Sequence, residues 1–215
     1  MNLASFGCSF LYGYDGKGGC DKTYSTTYHL SKLMNRNWIN KSDCGIGNDL
    51  IYERLITSHQ RGDINPNDTF IVIGWTQGFR KKIFIDDEVY LTYRPDTDQV
   101  DNKELSYYLS NTNLVYYEVL KNIIGVYVFL ENYGYDYLML DTINTTMDEC
   151  KIEEHYIPQE LFDMKNEIKK YSKLNYYNWI QDKGDKAFIS KSDHHPNQWS
   201  AEQFSKLLYS EITNE

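Results

Sequence analysis

The chain has 215 residues, with 31 Asp+Glu against 22 Lys+Arg for a formal net charge of −9, and 41% of its residues are hydrophobic. At this length a chain buries roughly 70% of the surface its unfolded form exposes, so folding requires neither disulfides nor a structural metal. The acidic balance argues against a nucleic-acid partner, because that affinity comes largely from Lys and Arg displacing counterions; no apolar run approaches the roughly 20 residues that cross a bilayer.

In chain order, Leu3 to Gly7 is a short apolar run stopped by glycine and reads as a buried strand. Tyr24 to Asn35 follows with a helical spacing of Tyr28, Leu30, Leu33 and Met34. Trp38 to Asn40 reads as a short strand, and Asn48 opens a helix through Leu50, Ile51, Leu55 and Ile56 that Gly62 stops. Phe70 to Ile73 is β-branched and apolar on both faces, the pattern of a central strand. Lys82 to Tyr93 reads as a hairpin around Asp86-Asp87-Glu88, a solvated turn rather than a calcium loop, within an insertion at about residues 80–112. Leu114 to Asn132 is a long helix, Tyr137 to Leu140 a strand, Gln159 to Leu174 one amphipathic helix, Ala187 to Ile189 a last strand, and Ala201 to Ile212 a terminal helix. Strands alternating with helices imply a single α/β domain over residues 1–215: a three-layer α/β/α, flavodoxin-like architecture with a mostly parallel sheet and a hairpin-like insertion.

The four cysteines, Cys8, Cys20, Cys44 and Cys150, are scattered without C-x-x-C spacing, which points to reduced thiols and no zinc site. Met1 and Asn2 lead directly into the Leu3 to Gly7 strand instead of a secretory leader, so cytoplasmic synthesis without export is expected.

In parallel α/β sheets, sites form at the carboxyl ends of strands. Three segments sit there: Gly7-Cys8-Ser9-Phe10, Gly74-Trp75-Thr76-Gln77, and Asp193-His194-His195-Pro196 before the last helix. They supply a hydroxyl, an imidazole and a carboxylate, the set that activates a serine nucleophile. Tyr12, Tyr14 and Tyr24 after the serine, with Trp75 and Phe79, should crowd aromatic rings at the cleft rim, a surface suited to sugar faces. Arg80 with Lys81 and Lys82 could steer an anionic substrate, with an exposed, solvated cluster the favoured reading. Cys8 is expected to be buried and His194 to face solvent.

Together these segments resemble the SGNH (GDSL-like) hydrolase superfamily, particularly its compact, divergent members in tailed-phage and large-virus genomes. Phe6-Gly7-Cys8-Ser9-Phe10 is similar to the first family block, Cys44-Gly45-Ile46-Gly47-Asn48 to the second, and Asp193-His194-His195-Pro196 to the C-terminal block. The resemblance implies Ser9 as nucleophile, His195 as base, Asp193 as orienter, and an oxyanion hole of the Ser9 and Gly45 N–H groups, with Gly47 the alternative to Gly45. Two departures stand out: Thr76 occupies the place of the family's donor Asn, and Asp193 lies two residues before His195 instead of three. Asn48, Trp75, Arg80 and Tyr12 are the expected substrate-binding residues.

The implied activity is a serine esterase that removes O-acyl groups, acetyl above all, from a carbohydrate through an acyl-serine intermediate, with no metal or organic cofactor. The alternative is a catalytically weak or inactive SGNH-fold binding or structural module, with possible virion association. A flavodoxin-like nucleotide binder is disfavoured because no G-x-G-x-x-G or P-loop pattern opens a helix.

Overall fold

The computed structural model describes residues 1–84, 90–93, 112–143 and 158–214. Its elements are β1 (Asn2–Gly7), α1 (Ser9–Tyr12), α2 (Thr26–Leu33), β2 (Asn37–Asn40), α3 (Asn48–Gln60), β3 (Thr69–Trp75), β4 (Lys81–Phe84), β5 (Tyr90–Tyr93), α4 (Thr112–Tyr133), β6 (Asp136–Asp141), α5 (Gln159–Asn166), β7 (Tyr171–Asn175), α6 (Tyr176–Lys183), β8 (Phe188–Ser190), β9 (Asp193–Pro196) and α7 (Gln198–Thr213). Five strands pair in parallel in the order β2-β1-β3-β6-β7. The strands β4 and β5 form a separate antiparallel pair; the expected turn at Asp86 to Glu88 lies outside the described residues.

Side chains alternate across a strand, so the sheet builds two cores. Ala4 and Phe6 of β1, Ile71, Ile73 and Trp75 of β3, and Tyr137 and Met139 of β6 face α3 and α4, meeting Leu50, Ile51, Leu55, Val119, Ile123 and Val126. The opposite parity, Leu3, Phe70, Val72, Leu138 and Leu140, packs against Phe10, Leu30, Tyr176, Ile180, Phe204 and Leu208 from the other helices. The result is a three-layer α/β/α arrangement around a parallel sheet. Among the described residues no helix is long and apolar enough to cross a membrane.

Two expectations are corrected. Gln159 to Leu174 is not one helix: α5 ends at Asn166 and Tyr171–Asn175 is an edge strand beside β6. Ile168, Tyr171 and Leu174 recur every three residues and imitate a helical face, but Ile168 and Tyr171 join one core and Leu174 the other. Ala187 to Ile189 does not extend the parallel sheet either; Phe188–Ser190 pairs antiparallel with Asp193–Pro196 in a ribbon that leads into α7.

Candidate active site

At the carboxyl end of β1, Gly7 is boxed in: a Cβ there would stand 2.9 Å from Leu11 Cδ1 and 3.0 Å from the Gly74 carbonyl oxygen. The chain then turns at buried Cys8, whose carbonyl accepts the N–H groups of Leu11 and Tyr12 at 3.0 Å each. This makes Ser9 the first residue of a four-residue helix, with its side chain at the end of the strand. Gly13 ends the helix at φ +88, where any Cβ would also collide with the Asp21 carbonyl at 2.7 Å.

The β8–β9 ribbon brings the other two groups from the far end of the chain, His195 lying 186 residues beyond Ser9. Asn197 caps α7 by accepting the Ser200 N–H at 3.0 Å, and its amide donates to the carbonyls of Lys186 and Phe188 at 2.8 and 2.9 Å, fixing the ribbon to the helix. His195 then presents Nε2 at 2.9 Å from Ser9 Oγ and Nδ1 at 2.6 Å from Asp193 Oδ1. The same carboxylate oxygen accepts the backbone N–H of His195 at 3.1 Å, so the two-residue spacing closes a compact local loop. With Nδ1–H donated to Asp193, Nε2 keeps its lone pair for the Ser9 proton. Phe10 and Tyr14 flank the imidazole at centroid distances of 5.7 and 4.5 Å. Ser9 is 5% exposed, while the His195 side chain keeps 33% of its surface open.

Beside this chain of hydrogen bonds, the ends of β1, β3 and β6 are tied together. Thr142 donates its hydroxyl to the Trp75 carbonyl at 2.6 Å, its N–H reaches the same oxygen at 2.9 Å, and its oxygen lies 3.3 Å from Cys8 Sγ. Asn48, at the start of α3, accepts the Thr76 N–H at 2.9 Å and donates to the Thr76 carbonyl at 3.0 Å. Thr76 is fully buried, yet its Oγ1 has no hydrogen-bond partner.

No family model matches the sequence, and no curated protein matches it. Solved structures do match: esterase EstA from Pseudoalteromonas sp. (12% identity, TM-score 0.57, covering 99% of this chain and 97% of that one), lipase Lip_vut3 from a goat rumen metagenome (13%, 0.56, 98% and 96%), and acetyl xylan esterase Est2A from Butyrivibrio proteoclasticus (14%, 0.56, 99% and 63%). The chain has the SGNH-hydrolase fold.

Within the SGNH fold the expected site residues divide. Ser9, His195 and Asp193 meet in one hydrogen-bonded series. Gly45 adopts φ +74 in the turn before α3, and Gly47 packs so closely on the Arg80 carbonyl that no side chain fits. Tyr12 is half-buried at the end of α1, and burial, followed by Cys20 and Asp43, raises its phenol above the usual range. Two substrate-binding expectations are overturned. Trp75 is fully buried because it shares the parity of Ile71 and Ile73 and points into the core under α3 and α4. Asn48 is 3% exposed and both ends of its amide are committed to Thr76. Cys8 is buried, and His194 is exposed with its ring stacked on Phe188 at 4.8 Å.

Sequence reasoning missed three residues that position this candidate site: Thr142, Asn197 and Asn48 in its bracing role. Asn197 had a readable signal, since Asn directly before an amphipathic helix is a favoured cap; Thr142 had none, because its partners are strand ends distant in sequence.

Proposed function

We propose that this chain is a serine esterase that removes O-acyl groups, acetyl above all, from a carbohydrate. The 2.9 Å contact from Ser9 Oγ to His195 Nε2, with the imidazole held from behind by Asp193, is the observation that carries the reading. Ser9 Oγ attacks the ester carbonyl as its proton passes to His195 Nε2; the imidazolium then protonates the departing alkoxide as the ester C–O bond breaks. Water, deprotonated by the same nitrogen, attacks the acyl-serine and frees the acid. Asp193 fixes the tautomer and offsets the charge on the imidazolium. The Ser9 N–H, a backbone N–H of the Gly45 to Gly47 turn and the Thr76 hydroxyl are assigned to the developing oxyanion.

The carbohydrate assignment draws support from the Tyr14 ring against His195 and from the acetyl xylan esterase among the structural neighbours. Release of acetate from acetylated xylan and peracetylated monosaccharides, followed by a coupled acetate assay, tests it: the wild type should release acetate and Ser9→Ala should not. Thr76 in place of an amide donor favours a second reading, an SGNH-fold binding module. That reading would gain from glycan binding without acetate release by the folded wild type.

A further inference from the structure

Arg80 carries a guanidinium that the fold does not explain. Its Nε and Nη1 are buried without a hydrogen-bond partner, and among the described residues no carboxylate lies within ion-pair distance of it. Burying an unpaired charge is costly, and this chain has nine more acidic than basic residues from which to supply a partner. The acids next to it are engaged elsewhere: Asp43 pairs with Arg54 at 2.8 Å, and Asp49 Oδ1 accepts the Leu50 N–H at 2.8 Å. A guanidinium that merely cements a loop would be bonded to carbonyls or a carboxylate, and among the described residues Nε and Nη1 of this one meet neither.

The location is as informative. Arg80 lies in the turn after β3, its N–H donating to the Gln77 carbonyl at 3.2 Å, and its own carbonyl pressing on Gly47 at the start of the 13-residue α3. The ends of β1 and β3 run side by side, Gly7 paired with Gly74, so the turn that carries Arg80 leaves the sheet at the same edge as the loop that carries Ser9. Thr76, four residues earlier, leaves a second buried polar atom without a partner there. Arg80 as a whole is half-buried, so an anion meets Nε and Nη1 only after the side chain turns outward. Uncommitted N–H donors in a planar fork, next to a helix N-terminus, match a carboxylate or phosphate group.

We infer that Arg80 is an anion-recognition subsite at the sheet edge of Ser9, and that among the esters this chain hydrolyses it prefers those that carry a carboxylate or phosphate group. This deepens the acyl-transfer reading and rests on it. The subsite explains why a donor-rich cation is kept buried at a stability cost: the partner it lacks arrives with the substrate.

Binding is measured on the full-length Ser9→Ala protein by calorimetry, with monomethyl succinate, methyl phosphate and the uncharged methyl butyrate as probes. At least one anion should bind about tenfold or more tightly than methyl butyrate, and Arg80→Met in the same background should abolish the difference; which anion binds tells carboxylate from phosphate. Equal affinity for all three probes, or a preference that survives Arg80→Met, would overturn the subsite. Thermal unfolding supplies the second readout: Arg80→Met should melt at or above the parent, because it removes an unpaired buried charge, whereas a fall of more than ~5 °C would show a structural role and overturn the inference. Fluorophosphonate labelling of the wild type separates the two claims. Failure to label Ser9 sinks the esterase reading whatever the calorimetry gives, and labelling with no anion preference sinks the subsite alone.

Discussion

The amide of Asn48 holds both backbone polar groups of Thr76, taking its N–H at 2.9 Å and meeting its carbonyl at 3.0 Å. The Thr76 hydroxyl therefore stands on a backbone held at both its polar groups by the first residue of α3. Asn48→Ala leaves a buried N–H and a buried carbonyl unmet, at about 1–3 kcal/mol each. Urea denaturation should show that loss, and ester hydrolysis should fall in kcat with KM little changed. A stability loss with unchanged kcat would reduce Asn48 to packing.

The Thr76 hydroxyl has no partner in the fold, so its removal should separate stability from turnover. Thr76→Val keeps the shape and deletes an unsatisfied buried oxygen; it should melt at or above wild type. If the hydroxyl donates to the oxyanion, kcat should drop roughly 10²–10³-fold, with Thr76→Ser retaining most of the activity. Equal turnover in Thr76→Val would place oxyanion binding entirely on backbone N–H groups.

Asp193 accepts both the ring and the backbone N–H of His195 through one oxygen. Asp193→Asn presents an amide to Nδ1 and favours the wrong tautomer. Steady-state kinetics should show a loss of roughly 10⁴-fold in kcat with the fold intact by circular dichroism. A loss below tenfold would mean that the ribbon and the flanking rings of Phe10 and Tyr14 alone orient the imidazole.

The layers of the fold were legible because β1, β3 and β6 carry apolar residues on both faces, a pattern that only a doubly covered parallel sheet satisfies. The hydroxyl, imidazole and carboxylate could be placed because they sit at strand ends and before a capped helix. The edge strand β7 was hidden by a spacing of three that split between two cores. Trp75 illustrates the converse limit: it ends β3 next to the segment expected at the site, but strand parity sends the indole inward, and parity at a strand's last residue depends on where the strand stops. Asn48 was visible as a helix opener, while its partner lies 28 residues away and is set by tertiary approach alone.

Cys44 offers a check on the electrostatics of the adjoining loop. Partial desolvation, aided by the Asp43 carboxylate, pushes its thiol up to about 12, and Arg80 only partly opposes this. A raised thiol pKa keeps the neutral form dominant at pH 8, so iodoacetamide should modify Cys44 more than about tenfold more slowly than a free cysteine, despite the residue's exposure. Peptide mapping over time gives the rate, which should keep climbing well above pH 9. Rapid alkylation at pH 8 would contradict the assigned environment.

The account turns on Ser9 being a nucleophile activated by His195. Incubation of the wild type, Ser9→Ala and His195→Ala with a fluorophosphonate, read by intact mass and peptide mapping, addresses this directly. A single stoichiometric adduct on Ser9, absent from Ser9→Ala and strongly slowed in His195→Ala, is the expected result. A folded wild-type protein that remains unmodified, or one labelled equally fast without His195, would contradict it.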